Sequence, residues 1–540
     1  MKASDLLVKC LENEGVEYVF GLPGEETLDL MESLRTSSIR FILTRHEQAA
    51  AFMADAYGRL TGKPGVCIST LGPGATNLLT GVADAYLDKS PLVVITGQAD
   101  LKRIHKESHQ YINIVEMYKS VTKWNGRIES PDIIPEMVRK AFKVAATEKP
   151  GPAHLELPEN IAAMEVGEMY RTMIEPIHPR RSSPDRQSLG KAADLIEQAR
   201  FPLILGGHGV VRKGAGSRLQ AFAELFCMPV VTTFMGKGGI SAESSSCIGT
   251  IGLSEDRQIA DVFSRADLVL AIGYDLVEYA PKNWNPKLDK KVIHIDFTTS
   301  EVDLHYVPEV EIISDIRETL ELLQRIMSTN KTCEFVVSAR REFVEGFERE
   351  GTVDSWPPRP PRIIHGIRKV LGPYDILISD VGSVKFWAAK FYPVYRNNTF
   401  ILSNGFASMG FAFPSAVVAK LIYPERSIVA LCGDGGFLMN VQDLETACRL
   451  KLNFVVVIFN DNGYNLIKWK AEKKFGTSFG VDFSNPDFVR LAESFGAFGI
   501  TLRSSKEFEN VLRDALTKTV PVVIDVPIDY SDNEMIYSLL

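Results

Sequence analysis

Cysteine is scarce in this sequence: seven residues in 540, scattered and with no C-x-x-C pair. That argues against a disulfide framework or a structural zinc site and suits a reducing compartment, so a cytoplasmic protein is expected. Long apolar runs are missing too. The longest, such as Phe454 to Phe459 and Pro202 to Leu205, fall far below the roughly 20 residues a membrane-spanning helix needs. Nor is there an excess of positive charge. A formal net charge of −8 gives no reason to expect nucleic acid or an anionic membrane as partner. The N-terminal Met1-Lys2-Ala3-Ser4-Asp5 runs straight into a helical pattern, so no signal peptide is expected. Histidine is sparse as well, nine in all with no two adjacent.

What is present is a large soluble-type composition, 45% hydrophobic and 24% charged, on a chain too long for one core. Short β-branched runs alternate with longer amphipathic segments, the pattern of parallel α/β domains. Tyr18 to Phe20, Val66 to Ile68 and Leu92 to Ile95 read as buried strands. Between the first two lies a helix carrying Glu47 to Met53, with apolar residues three and four apart. Two proline-bearing stretches interrupt the alternation. One, 175–185, holds Pro176, Pro179 and Pro184; the other is Trp356-Pro357-Pro358-Arg359-Pro360-Pro361, read as a polyproline-like spacer. They divide the chain into units at 1–174, 186–350 and 362–540. The fold class expected is α/β, three doubly wound parallel-sheet domains. In the middle unit a strand runs into Gly206-Gly207-His208-Gly209-Val210. The dinucleotide fingerprint needs a third glycine where Arg212 stands, so a structural Rossmann-like domain is expected there.

The strongest local signal is in the last third. A strand from Ser427 to Leu431 leads into Cys432-Gly433-Asp434-Gly435-Gly436 and an amphipathic helix read through Leu452. The next strand, Phe454 to Phe459, ends in Asn460-Asp461-Asn462-Gly463. In a parallel sheet both loops emerge at the carboxyl ends of the strands, where ligands bind. Asp434 and Asp461, 27 positions apart, can therefore meet. Two carboxylates, glycine backbone and a helix N-terminus suit a Mg²⁺–diphosphate group. Taken alone, Gly-Asp-Gly-Gly is equally a tight turn; the second acidic loop is what favours the metal.

This pair of loops resembles the signature of thiamine-diphosphate enzymes, Gly-Asp-Gly followed about thirty residues later by an asparagine motif. The resemblance extends over Phe20 to Gly24, Thr44 to Ala54, Gly58 to Gly65, Leu71 to Asn77, Val381 to Ser383, Met409 to Pro414 and Val523 to Pro527. It is nearest to the acetolactate synthases, and Asp461 in place of the usual second asparagine points to the catabolic, flavin-free type. The resemblance implies thiamine diphosphate and Mg²⁺ as cofactors, with FAD not expected. Asp434, Asp461 and the Gly463 carbonyl would hold the metal. Gly382, Ser383, Gly435 and Gly436 would line the diphosphate, Met409 would prop the bent cofactor, and Pro23, Gly24 and Tyr464 would also bind it. Glu47 would sit against N1′ of the pyrimidine, a role that suits a buried glutamate. Met409 has a plain core methionine as its alternative. The family joins the first domain of one subunit to the last domain of another, which implies a homodimer or homotetramer with the active site at the interface.

Several features favour carboligation of 2-oxo acids over simple decarboxylation. Ser108-His109-Gln110-Tyr111 is similar to an acetolactate synthase segment, and implies that Gln110 contacts the substrate, although a surface glutamine is the alternative. The paired histidines of pyruvate decarboxylase-like enzymes are missing. Ile272 to Tyr279 lacks the arginine-bearing stretch of flavin-binding relatives. Two departures bear on the acceptor: Glu25-Glu26 where relatives carry Ala-Lys, and Lys470, which either holds an acceptor carboxylate or is merely solvated.

Overall fold

The computed structural model describes residues 1–167, 172–177, 182–252, 257–328 and 334–537. Among these residues eighteen strands form three six-stranded sheets, every strand pairing parallel. The first holds β1 (Tyr18–Gly21), β2 (Arg40–Leu43), β3 (Gly65–Ser69), β4 (Leu92–Gln98), β5 (Trp124–Arg127) and β6 (Pro152–Pro158), in spatial order β2-β1-β3-β4-β6-β5. The second holds β7 (Pro202–Gly206), β8 (Val230–Thr233), β9 (Cys247–Ile251), β10 (Leu268–Ile272), β11 (Lys291–Asp296) and β12 (Val310–Ile313), in order β12-β11-β10-β7-β8-β9. The third holds β13 (Ile376–Ser379), β14 (Phe400–Leu402), β15 (Ile428–Gly433), β16 (Val455–Asn460), β17 (Phe498–Thr501) and β18 (Val522–Pro527), in order β14-β13-β15-β16-β18-β17.

The first and third sheets thus share one topology, whereas the second has the strand order of a dinucleotide-binding fold. Central strands such as β4 and β6 are buried along their whole length, as strands covered by helices on both faces must be. In each sheet strands are added to both sides of the first strand, and that change of direction opens a crevice at the carboxyl ends of the strands. It lies between β1 and β3 in the first sheet, between β7 and β10 in the second, and between β13 and β15 in the third.

The first and third units share one hydrophobic core. The helix Glu47–Thr61 lies between the helices Pro73–Leu87 and Ala412–Ile422, and the Phe52 and Phe411 rings meet edge to face at 5.7 Å. At this seam Arg59, its side chain 4% exposed, pairs with Asp55 (2.7 Å), Asp84 (3.0 Å) and Asp88 (2.9 Å) and donates to the Leu402 carbonyl (2.8 Å). Ser403 donates to Asp84, and the Asn404 and Gly405 amides donate to Asp88.

Three sequence expectations need correction, and one strand was missed. Pro360 and Pro361 do not extend a spacer: they open the helix Pro360–Val370, because the first-turn N–H groups that proline lacks have no intrahelical partner anyway. The helix after Gly-Asp-Gly-Gly does not run unbroken to Leu452. It stops at Met439, where Asn440 leaves helical geometry and its amide donates to the Gly410 carbonyl at 2.8 Å; a second short helix covers Leu444–Arg449. Strand β2 between β1 and the helix Glu47–Thr61 was not anticipated. Cys227 takes part in a disulfide, while Cys10, Cys67, Cys247, Cys432 and Cys448 are free. Of the linker at 175–185, Pro179 lies outside the described residues; Pro176 and Pro184 are in irregular chain, and a helix begins at Arg186.

Candidate active site

In the third sheet the crevice between β13 and β15 is lined by glycine backbone. Gly382, at φ 115°, caps the helix Ser383–Phe391, and a β-carbon there would meet nothing within 4 Å. The same holds for Gly433. Both positions are open space at the end of a strand. A cavity of about 410 Å³ occupies it, in the range of small-molecule sites. Gly382, Ser383, Met409, Asp434, Gly435, Gly436, Asp461, Gly463 and Tyr464 all line this cavity, joined by Asn465, Leu466 and Ile467.

Asp434 is buried, with 2% of its surface exposed. One carboxylate oxygen accepts from its neighbour Gly435 (2.7 Å); the other accepts from the amides of Asp461 (3.2 Å) and Asn462 (2.8 Å) and from Asn485 Nδ2 (2.7 Å). Burial, and then the Asp434 charge beside it, push the Asp461 carboxyl up to about 7. Among the described residues no lysine or arginine pairs with either carboxylate, and the buried Asn485 Oδ1 has no hydrogen-bond partner. A cavity with two adjacent acids and bare glycine backbone fits a divalent cation together with a diphosphate.

Asp380 organises the same crevice from beneath. It accepts from Val381 (2.8 Å) and from Gly410 with both oxygens (3.0 and 3.2 Å). It thereby ties the loop carrying Met409 to the one carrying Gly382. A β-carbon at Gly436 would lie 2.7 Å from the Asp380 carboxylate, so glycine is required there. Burial pushes Asp380 up to about 7.

The crevice of the first sheet carries the second group of expected residues. Gly24 packs so closely on Thr70, after β3, that a β-carbon would lie 2.4 Å from the Thr70 β-carbon. Pro23 is exposed beside it. Glu47 starts its helix, with His46 as the cap accepting from the Gln48 amide at 3.1 Å. It is buried, 5% exposed, and one of its oxygens accepts from Asn77 Nδ2 at 2.9 Å. Gln110, at φ 57°, lays its backbone over Gly72 at the start of the neighbouring helix and leaves its side chain exposed without a partner among the described residues. Glu47 and Gln110 therefore share one sheet edge, but neither lines the cavity around Asp434.

The two departures noted in the sequence resolve unequally. Glu26 turns inward, 8% exposed, and accepts from the Thr70 hydroxyl at 2.7 Å, whereas Glu25 is exposed. Lys470 stands on the helix Asn465–Phe475, exposed and outside the cavity wall. Asn77, Asn485 and Asp380 were not singled out in the sequence. Asparagine carries no chemical signature, and Asp380 precedes its glycine loop in a place any strand-ending acid can occupy.

The crevice of the middle sheet is closed by the chain itself. A β-carbon on Gly207 would lie 2.4 Å from the Gly273 carbonyl oxygen, and one on Gly209 would lie 2.6 Å from Gly273 Cα. The Glu278 carboxylate accepts from the His208 amide with both oxygens (3.1 and 3.0 Å), where a dinucleotide phosphate would sit. Burial pushes Glu278 up to about 8.

Two strand-end crevices of identical topology, one a cavity holding paired acids among glycines and the other carrying a buried glutamate, define a thiamine-diphosphate enzyme. Three family descriptions agree in chain order: the N-terminal TPP binding domain of thiamine pyrophosphate enzymes over residues 1–117, their central domain over 189–323, and their C-terminal TPP binding domain over 380–526. The chain belongs to the acetolactate synthase family of these enzymes. It is 33% identical to the acetolactate synthase of Bacillus subtilis (strain 168), over 98% of this chain and 94% of that one. It is 34% identical to the catabolic acetolactate synthase of Raoultella terrigena, over 99% and 97%. To the large subunit of acetolactate synthase isozyme 3 of Escherichia coli (strain K12) it is 29% identical, over 99% and 96%. No helix among the described residues is long and apolar enough to cross a membrane.

Proposed function

We propose that the protein removes CO₂ from pyruvate or a related 2-oxo acid and joins the remaining two-carbon unit to a second 2-oxo acid, giving 2-acetolactate when both are pyruvate. The observation that carries this reading is the juxtaposition of Asp434 and Asp461 over a cavity walled by Gly382, Ser383, Gly435 and Gly436. The cofactor, when bound, supplies the electron sink for decarboxylation and for making the new carbon–carbon bond. Asp434, Asp461 and the Gly463 carbonyl hold Mg²⁺; the glycine backbone and Ser383 receive the diphosphate; Met409 and Tyr464 flank the ring system. Glu47 exchanges a proton with the pyrimidine nitrogen, and Pro23 and Gly24 shape that end. Gln110, free on the same edge as Glu47, orients the substrate.

The acting unit is a homodimer, with a tetramer as the larger assembly. Support comes from Glu47 standing outside the Asp434 cavity and from the surface next to that cavity. The helix Asn465–Phe475 buries none of its residues, and Ile467 (55%), Phe475 (69%) and Phe479 (96%) are exposed there. A second copy bringing its own Glu47 would cover them. The closed middle crevice supports a protein without flavin.

The test is product analysis from pyruvate with thiamine diphosphate and Mg²⁺, with Glu47→Gln as control. Acetolactate that disappears in the control supports both reaction and residue. Acetaldehyde alone would make the protein a decarboxylase, and untouched pyruvate with bound cofactor would point to another 2-oxo acid.

A further inference from the structure

The Glu47 side chain receives a single hydrogen bond among the described residues, from the side-chain amide of Asn77 at 2.9 Å. Its other oxygen, Oε1, faces Gly74, 3.3 Å from where a β-carbon on that glycine would stand. Gly74 and Asn77 lie three apart on the helix Pro73–Leu87 and so share a face. That face meets the helix of Glu47 at close range: a β-carbon on Gly81 would lie 2.5 Å from Ala51 Cβ. The helix pair is thereby locked in register, with the closely packed backbone of Gly74 and a donor at Asn77 both facing one carboxylate.

We infer that Asn77 is a positioning residue for Glu47: its amide holds Oε2, so that Oε1 alone is presented to the cofactor's pyrimidine. This rests on Glu47 being the group that meets that ring. The terminal torsion of a glutamate is broad and roughly two-fold, so a carboxylate without an anchor would offer either oxygen in many orientations. A donor on one oxygen fixes that torsion. An asparagine does this without adding a charge. The titratable groups around Glu47 do not replace it. Tyr118 keeps its hydroxyl on the Ala75 carbonyl (2.7 Å), Glu26 is engaged by Thr70, and His46 caps the helix through the Gln48 amide.

The experiment uses the full chain with thiamine diphosphate and Mg²⁺. It follows exchange of the cofactor's thiazolium C2 proton for deuterium by acid quench and NMR across pH, with cofactor affinity measured by calorimetry. Asn77→Ala is expected to slow exchange about tenfold to a hundredfold, as for one lost hydrogen bond to a charged group, while affinity changes little. Asn77→Asp keeps the shape and removes the donor once ionised. Two carboxylates at this distance share a proton only on the acid side, so its exchange should persist at low pH and collapse as pH rises. Wild-type exchange with an unshifted pH profile in both variants would overturn the assignment, as would an affinity loss that accounts for the whole effect. If Asn77→Ala does not fold, the profile of the isosteric Asn77→Asp decides. Wild-type exchange in Glu47→Gln would instead overturn the role of Glu47, and a Glu47→Gln loss with normal Asn77 variants would overturn only that of Asn77.

Discussion

The Asp434 carboxylate accepts the backbone amide of Asp461 at 3.2 Å, although the two acids end different strands. The bond seats the second acid's loop on the first acid's side chain, so the pair stays together before any cation arrives. Its cost is visible at Asp461, whose carboxyl is held up at about 7 by burial and by Asp434.

Asp461→Asn should therefore act in opposite directions on stability and on binding. The folded-state carboxyl lies above its unfolded value of about 3.9. Stability therefore falls as pH rises between those two values and levels off above about 7, where the group is ionised in both states. Without metal at pH 8 the variant should melt at a higher temperature than the wild type. Its Mg²⁺ requirement for cofactor binding should rise by at least about tenfold. Calorimetric titration and thermal denaturation read both, and a lower melting point in the metal-free variant would contradict the account.

Arg59 anchors the seam between the first and third units with three buried carboxylates around it. Arg59→Met leaves Asp55, Asp84 and Asp88 without their cation, a loss of about 3–5 kcal/mol. Arg59→Lys should recover only part of that, because the forked contact to Asp55 needs a guanidinium. Denaturant unfolding of the three proteins gives the comparison; equal midpoints would mean that the seam is held by packing alone.

His154, on β6, is buried, stacked on Tyr118 at 4.3 Å and bonded to the Thr96 hydroxyl at 2.8 Å. Burial depresses its folded-state value to about 3, so between there and about 6.5 the unfolded chain binds the extra proton. Stability should consequently fall by about 1.4 kcal/mol for each pH unit of acidification in that window. His154→Gln removes this contribution. Unfolding free energies at pH 7, 6 and 5 should show a shallower slope in the variant, and parallel slopes would count against it.

The middle crevice gives a fourth test. Gly207→Ala places a β-carbon 2.4 Å from the Gly273 carbonyl oxygen and 2.5 Å from Tyr274 Cα, both main-chain atoms. Such overpacking should cost about 1–3 kcal/mol in stability, and the purified wild-type protein should show no flavin absorbance near 450 nm. A neutral substitution, or a flavin band, would mean that the crevice opens.

Some of this was fixed by local chemistry and could be read along the chain. Alternation of β-branched runs with amphipathic segments gave the parallel class, because strands buried on both faces have no polar side to show. Strand-end loops such as Gly433 to Gly436 and Asn460 to Gly463 were legible because metal and phosphate chemistry restricts which residues can stand there. The helix carrying Glu47 was legible from its apolar spacing.

Tertiary structure decided the rest, because contacts between distant segments leave no local pattern. Only the packed sheets show that the first and third share a topology and that the middle crevice is filled by Gly273 and Glu278. The partner of Glu47 is an asparagine thirty positions away, and its identity as a donor depends wholly on how two helices are set against each other. Glu25 and Glu26, equivalent in sequence, part company because Thr70 lies beside only one of them. The sequence alone determined which chemical groups are available and which strands they terminate. Which of them meet depends on the order in which strands join a sheet, a long-range choice made by burial and register and not by any single segment.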